Sequence, residues 1–254
     1  MMISTSKLDN VKVIVDEKCH GSKLVAVPDF ICIGAQKAGT TWLFDQVRGN
    51  PDIFMKTKEL NYFISGRDAK WYSHQFNGSA GRLCGDMSPS YARENGIAQR
   101  IHNLCPHARI IYLLRDPAAR AFSQWKMARR MGNIPMEISF SQAFAADMRY
   151  MRTRGEYFKF IREYTLLYPL ESKFKVLWYD DIIRRPRDVI RDFQAFIGAN
   201  PEWISPDYDK IVNKSVDQQS MSEGDYKIVS DYYLDSNREL LRVLNMNRLP
   251  WESE

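Results

Sequence analysis

The sequence predicts an α/β fold, a three-layer sandwich with helices on both faces of a central, mostly parallel sheet. Three observations carry this expectation. Strand-like and helix-like segments alternate along most of the chain. RIIYLL, at Arg109–Leu114, is nearly all apolar, as expected for a strand covered on both faces. FICIGAQKAGTTWLF, Phe30 to Phe44, runs a short apolar segment through a glycine-containing turn into an amphipathic one. With 254 residues the chain can bury one sizeable core, so a single domain over residues 1–254 is expected, residues 1–27 being an N-terminal extension.

Taken in order, the first strand is Phe30–Ile33, and the helix after its loop is Thr40–Arg48, stopped by Gly49-Asn50-Pro51. A brief strand at Asp52–Met55 and another at Leu83–Asp86 follow. The next helix, Ala98–Leu104, is closed by Pro106 and leads to the strand at Arg109–Leu114. Asp116 suits an N-cap and Pro117 a first helical position, which starts a helix at Pro117–Met131. Helical patterns at Ser141–Thr153 and Gly155–Tyr168 precede a strand at Lys175–Tyr179. Pro186–Ile197 puts Val189, Ile190, Phe193, Phe196 and Ile197 on one face and stops at Gly198. A last helix spans Glu223–Leu244. The polar stretch Asn213–Gly224 reads as a mobile loop or lid.

Composition narrows the function. Hydrophobic content of 44% with 26% charged residues is globular, not disordered. A net charge of +5 favours an anionic ligand, yet the excess is too diffuse to indicate nucleic acid. The four cysteines, Cys19, Cys32, Cys84 and Cys105, lack CxxC spacing and read as reduced thiols, not as a zinc site. No basic start precedes an apolar run, and no segment approaches a membrane span, so the expected location is cytoplasmic. Oligomeric state leaves no mark in the sequence.

The loop after the first strand carries the chemistry. A phosphate-binding P-loop, GxxxxGK[ST], places lysine directly after its second glycine. Here Gly34 and Gly39 have that spacing, but Thr40 follows Gly39 and Lys37 sits inside the loop. Backbone N–H groups at the helix start, together with the helix dipole, favour an anion there, and Thr40 and Thr41 add hydroxyl donors. A lysine inside the loop reaches an oxygen bridging two acidic centres and so assists a leaving group. Without Lys37 the stretch would be an ordinary strand-to-helix turn. A kinase or NTPase needs the lysine after Gly39 and an acidic magnesium ligand at a second strand end, where this chain has Arg115. Arg115 and Ser123, in LLRDPAARAFSQWKMARR, form a second phosphate site or, alternatively, Arg115 pairs with Asp116 or caps a neighbouring helix.

Together these stretches resemble the nucleotide-dependent sulfotransferases, which use 3'-phosphoadenosine 5'-phosphosulfate. GAQKAGTTWL looks like their 5'-phosphosulfate loop and RDPAARAFS like their 3'-phosphate motif, RDPxxRxxS. The order is similar to the branch containing heparan sulfate sulfotransferases and many bacterial relatives. KELNYF (Lys58–Phe63), WYSHQF (Trp71–Phe76), GDMSPSY (Gly85–Tyr91) and RGEYFKFIREYTLLYP match that branch, as does the later KVLWYDDIIRRPRDVIRDFQAFIGA. The resemblance covers about Phe30 to Leu244 and implies a P-loop NTPase-like sulfotransferase fold. It implies sulfuryl transfer, without metal, to a hydroxyl of a small metabolite or glycan acceptor, with adenosine 3',5'-bisphosphate as product. An amine or guanidine is the alternative acceptor.

Site residues follow from the same resemblance. Gln36, Lys37, Ala38, Gly39, Thr40, Thr41 and Trp42 would surround the 5'-phosphosulfate, and Arg115 and Ser123 the 3'-phosphate. Lys37 would stabilise the departing oxygen, and Glu59 would be the base, its pKa raised by burial near the donor. A salt bridge from Glu59 to Lys58 or Lys37 is the bland reading, and His74 is the alternative base. Tyr62, Trp71, His74 and Tyr91 are candidate acceptor contacts, with Phe63 and Tyr72 in the same aromatic supply, although core packing would use the same residues. Two departures stand out. Met87 occupies a place where the heparan enzymes usually carry lysine, and NKSVDQQSMSEGDYK lacks their cysteine-stapled basic loop, leaving Asn213, Lys214 and Ser215 as nucleotide contacts. These departures favour a small hydroxylated metabolite, or a neutral glycan or lipid, over a highly sulfated polymer.

Overall fold

A computed structural model describes residues 13–15, 24–209 and 219–252. Strands β1 (Val13–Val15) and β2 (Leu24–Ala26) pair antiparallel ahead of the main sheet. The chain then runs β3 (Phe30–Gly34), α1 (Thr40–Val47), β4 (Ile53–Phe54), α2 (Tyr62–Ser65), α3 (Ala69–His74), β5 (Leu83–Met87) and α4 (Ile97–Leu104). It continues through β6 (Arg109–Leu114), α5 (Pro117–Arg130), α6 (Phe140–Ala145), α7 (Tyr157–Thr165) and β7 (Phe174–Trp178), then α8 (Tyr179–Arg184), α9 (Pro186–Ile197) and α10 (Glu223–Leu244). Strands β3 to β7 form one five-stranded sheet in the order β4-β5-β3-β6-β7. Every pairing in it is parallel.

The pattern of burial explains the arrangement. All of β3 is buried, and β6 is buried from Ile110 to Leu114, so both strands need cover on two faces. Helices α1 and α9 contact each other, and the edge of the Phe193 ring meets Phe30 with centroids 5.5 Å apart. Helices α4, α7 and α10 form a second packed group. Gly85 lets Phe30 sit against β5, because a Cβ there would lie 2.1 Å from the Phe30 ring.

Local sequence sets the ends of the helices that matter for the site. Asp116 accepts the Ala118 N–H at 3.0 Å and Pro117 begins α5, so Asp116 is the expected N-cap. Helix α9 ends at Gly198 in the left-handed conformation. Ser222 caps α10, its hydroxyl accepting the Asp225 N–H at 3.0 Å, so the end of the Asn213–Gly224 stretch is helix start, while residues 213–218 lie outside the described residues. Cys19 and most of the N-terminal extension lie outside them too, but the last part of that extension holds β2.

The helix expected over Ser141–Thr153 is not continuous. Ser139 and Gln142 form a capping box that starts α6, and the chain then turns left-handed at Asp147, Arg149 and Tyr150. The Asp147 carboxylate takes the Arg152 and Thr153 N–H groups at 2.7 and 3.1 Å, an alternative to helix bonding that a short acidic side chain favours. The short helices α2, α3 and α8 went unpredicted because four to six residues hold less than two turns of apolar period.

Replacement of Gly85 tests the close approach of β3 and β5. Gly85→Ala should destabilise the protein by roughly 1–3 kcal/mol through overpacking against Phe30. Chemical denaturation would show this as a lower midpoint with unchanged slope, and an unaltered midpoint would mean that the ring yields freely.

Candidate active site

The sheet order places the carboxyl ends of β5, β3 and β6 side by side, and three loops leave from there. The loop after β3 is tied down by the Ala35 N–H, which donates to Leu113 O at 2.8 Å, and by the Ala38 N–H, which donates to Ala35 O at 3.1 Å. It then enters α1 through Gly39, at φ +95°, where a Cβ would come within 2.7 Å of the Ile182 side chain. No side chain caps α1, so the N–H groups of its first turn, at Thr40, Thr41 and Trp42, lack intrahelical partners and point outward from the loop. The Trp42 ring and the Ala38 methyl are core, so these two residues can offer only backbone to a ligand. Thr40 is buried, while Gln36 and Thr41 are half-buried.

Lys37 sits at φ +71°, a left-handed conformation that a non-glycine residue rarely takes and that tends to mark functional turns. Its Nζ rests 3.8 Å from Met127 Sδ on α5. Burial, followed by the charges of Arg130, Arg115, Lys58 and Lys126, lowers its pKa below the ordinary lysine value. Arg115 donates to the Lys37 carbonyl at 3.1 Å and lies 4.3 Å over the Tyr179 ring. Its own carbonyl accepts the Tyr157 hydroxyl at 2.8 Å. Asp116 spends its carboxylate on the start of α5 and forms no ion pair with Arg115 among the described residues, and the hydrogen bond of Arg115 goes to the loop of Lys37, not to a neighbouring helix end. Half-buried Ser123 shares one helical face with Lys126, Met127 and Arg130, residues three, four and seven positions further on. The arrangement can attract an anion, since uncapped amides lie beside Lys37 and Arg115 in a region made more positive by Arg130, Lys58 and Lys126.

On the β5 side, a buried carboxylate braces a second loop. Asp86 is fully buried and accepts the hydroxyls of Tyr72 at 2.9 Å, Tyr91 at 2.8 Å and Ser88 at 2.5 Å. Burial raises its pKa, against the opposing effect of those three hydroxyls. Ser88 Oγ in turn accepts the Asn61 N–H at 2.9 Å, and Met87 O accepts the Glu59 N–H at 3.0 Å. Glu59 and Asn61 are held at φ +63° and +52°, so the brace fixes a turn that projects the Glu59 side chain outward.

Three expectations need correction. Glu59 is not buried: its side chain is 48% exposed and pairs with Lys58 at 2.5 Å, while Lys37 is not its partner. Tyr91 is core, its ring edge-on to Phe63 and its hydroxyl committed to Asp86, so it does not face an acceptor. Tyr72 is equally buried, and half-buried Tyr62 stacks on it with ring centroids 4.1 Å apart. Trp71 lies half-buried under the Arg67 guanidinium, 4.0 Å away. His74 ends α3 in solvent, and none of the described contacts brings it to the loop of Lys37. Asn213, Lys214 and Ser215 lie outside the described residues.

Sequence reasoning passed over Lys58, Lys126, Arg130 and Arg154. The first three bias Lys37 electrostatically, and Arg154 donates from Nη1 to Gln36 Oε1. A signal existed for two of them, since Lys126 and Arg130 fall on the helical face of Ser123. Nothing local marked Arg154, which reaches Gln36 across 118 positions.

Comparison with known proteins agrees with this geometry. The family described as sulfotransferase domain matches residues 95–238, more than half of the chain. The bifunctional heparan sulfate N-deacetylase/N-sulfotransferase of Drosophila melanogaster is 24% identical over 86% of this chain, which spans 26% of that protein's length. Heparan sulfate glucosamine 3-O-sulfotransferase 6 of Mus musculus is 25% identical over 67% of the chain and 52% of its own length. A solved sulfotransferase structure from Alicyclobacillus acidocaldarius superposes with a TM-score of 0.78 at 25% identity, covering 88% of this chain and 98% of the other.

Asp86→Asn should weaken the brace, since an amide presents only one acceptor oxygen to three hydroxyl donors. Loss of charge-assisted hydrogen bonds of this kind predicts destabilisation of about 1–3 kcal/mol, measurable by denaturant titration. Stability equal to the parent protein would show that the hydroxyls find other partners.

Proposed function

The chain belongs to the sulfotransferase domain family, and on that premise we propose that it transfers a sulfuryl group from 3'-phosphoadenosine 5'-phosphosulfate to a hydroxyl of a small metabolite or glycan. The observation that carries this reading is the bond from Arg115 to the Lys37 carbonyl, which brings the two expected halves of the donor site together. When bound, the donor supplies an activated sulfur whose leaving group is a phosphate oxygen. The amides and hydroxyls of Thr40 and Thr41 hold the 5'-phosphate, and Arg115 with Ser123 holds the 3'-phosphate. Lys37 holds the oxygen bridging phosphorus and sulfur. Its ammonium is partly desolvated and crowded by cations, so its attraction to that oxygen grows as the S–O bond breaks and negative charge collects there.

Glu59 takes the proton of the acceptor hydroxyl as that oxygen bonds to sulfur. Its side chain is accessible, its backbone is fixed by the β5 brace, and Lys58 engages one of its carboxylate oxygens. An amine acceptor is the second reading, favoured by the relative whose name includes an N-sulfotransferase; the same base and donor site would serve it. One domain, acting in the cytoplasm, belongs to the proposal. A reducing compartment fits Cys32, Cys84 and Cys105, which are free and buried. No described helix is long and apolar enough to cross a membrane.

Adenosine 3',5'-bisphosphate should raise the melting temperature far more than ATP with magnesium. Ligand-linked stabilisation is about 2.7 kcal/mol at a hundredfold excess over Kd, well within the reach of thermal melting. Equal stabilisation by ATP would point to a kinase or NTPase.

Kinetics separates the roles. Lys37→Ala should lower kcat much more than donor affinity, and Arg115→Ala should weaken donor and bisphosphate product alike. Glu59→Gln should slow turnover by about 10²–10⁴-fold with donor binding retained, the range expected for a general base. Near-normal turnover in Glu59→Gln with collapse in His74→Ala would transfer the role to the histidine.

A further inference from the structure

Beside the donor loop, a second group of cations has no carboxylate ion partner among the described residues. Arg154 is only 7% exposed, and its Nε has no hydrogen-bond partner. Burial brings its pKa down to about 10, and the neighbouring charges of Arg120, Arg93 and Arg149 act in the same direction. Arg120 is occupied structurally, donating to Gln124 Oε1 at 2.7 Å and to the Met151 carbonyl. Arg93 also has a buried, unpartnered Nε. Nearby acids are engaged elsewhere. Glu94 pairs with Arg100 at 3.5 Å, Asp147 accepts from Thr153 and from the Arg152 N–H, and Glu156 accepts the Tyr232 hydroxyl. Among the described residues no carboxylate forms an ion pair with Arg93, Arg149 or Arg154. A buried guanidinium amid like charges is expensive unless an anion joins it.

Geometry adds a second, independent sign. Arg93 lies 5.4 Å and Arg154 6.0 Å from the centroid of the Tyr150 ring, so two guanidinium groups share one exposed aromatic. Arg149 and Tyr150 are both left-handed, at φ +59°, which is strained for these residues and projects Arg149 into solvent beside them. Arg93 follows β5 and Arg154 bonds to Gln36, the residue before Lys37. The group is therefore assembled from the loop after β5, which carries Arg93, and the segment between α6 and α7, which carries Arg149 and Arg154 and is tied to α5 by the Gln124 bond to the Arg149 carbonyl at 2.8 Å.

We propose that Arg93, Arg149 and Arg154 form a second anion subsite, separate from the nucleotide site, that takes a carboxylate or a sulfate or phosphate ester carried by the acceptor. The assignment to the acceptor rests on the sulfuryl-transfer reading; the subsite itself does not. Such an acceptor is small or short and carries a fixed negative group beside the hydroxyl to be modified. This reverses the preference for a neutral acceptor that the missing basic C-terminal loop suggested.

The test is calorimetric titration of the protein with and without saturating adenosine 3',5'-bisphosphate. The probes are 4-nitrophenyl β-D-glucuronide, glucose 6-phosphate, glucose 6-sulfate and the uncharged 4-nitrophenyl β-D-glucoside. At least one anionic probe should bind tenfold or more tightly than the glucoside with the nucleotide present. Which one does so identifies carboxylate or ester. The preference should disappear in Arg93→Gln and Arg149→Gln, two positions accessible enough for the fold to survive, while affinity for the bisphosphate stays unchanged. Equal binding of charged and uncharged probes, or a preference retained in the double variant, would overturn the subsite. Anion binding that vanishes once the bisphosphate is bound would also overturn it, by placing the anions in the nucleotide site. Failure of the bisphosphate to bind would count against the donor reading alone, since the titration without nucleotide reads the same arginines.

Discussion

Positive charge at the carboxyl end of the sheet has to be gathered and yet kept from repelling itself apart, and the bond from Arg115 to the Lys37 carbonyl is how the fold does so. That bond joins the loop after β3 to the end of β6, while the Tyr179 ring and the Tyr157 hydroxyl hold the same arginine from two further directions. Lys37 then needs no anionic protein partner. Its ammonium is left against Met127, short of solvent and in the positive field of Arg130, Arg115, Lys58 and Lys126. Such a site is poorly solvated when empty, so a polyanionic ligand gains from supplying the missing charge.

The β5 side uses the opposite device. A single buried carboxylate, Asp86, collects three hydroxyls, and Ser88 relays that rigidity to the turn bearing Glu59. Buried carboxylates are tolerated only when their lone pairs are filled, which explains why Tyr72 and Tyr91 face inward. The aromatics that looked available for an acceptor are therefore largely the wall behind the turn that bears Glu59. In the proposed reading, acceptor recognition falls to Tyr150, the arginines beside it and the accessible Glu59.

The transfer loop and this wall meet through Pro89. A Cβ at Gly34 would lie 3.0 Å from the Pro89 carbonyl, and the Ala92 N–H donates to Ile33 O at 3.0 Å. The loop after β5 thus lies against the end of β3, so the position of Arg93 and the path of the loop holding Lys37 are set by the same backbone contacts. Donor loop, candidate base and proposed acceptor subsite share one rigid floor.

Much of this was legible in the sequence because its signals are local. The apolar runs of β3 and β6, the Gly34–Gly39 spacing, the Asp116-Pro117 helix start and the stop at Gly198 each express the conformational preferences of a few adjacent residues. They suffice for the parallel α/β fold and for the joint placement of Lys37, Arg115 and Ser123. Other features depend on groups that meet only after folding. The Asp147 turn looked helical because its apolar pattern is helical, and only the side-chain bonds to Arg152 and Thr153 break it. Tyr91 looked like a binding residue because nothing in the sequence shows its hydroxyl turning back to Asp86, five residues earlier on the buried β5, and Glu59 looked buried because exposure has no sequence signature. Arg93 and Arg154 are unremarkable in sequence, some sixty positions apart, and come together only where the fold brings both to the Tyr150 ring. Sequence determined which segments form the sheet and the anion-binding loop, since local propensity decides those. Tertiary structure decided which charges remain unpaired, since pairing depends on distance in space.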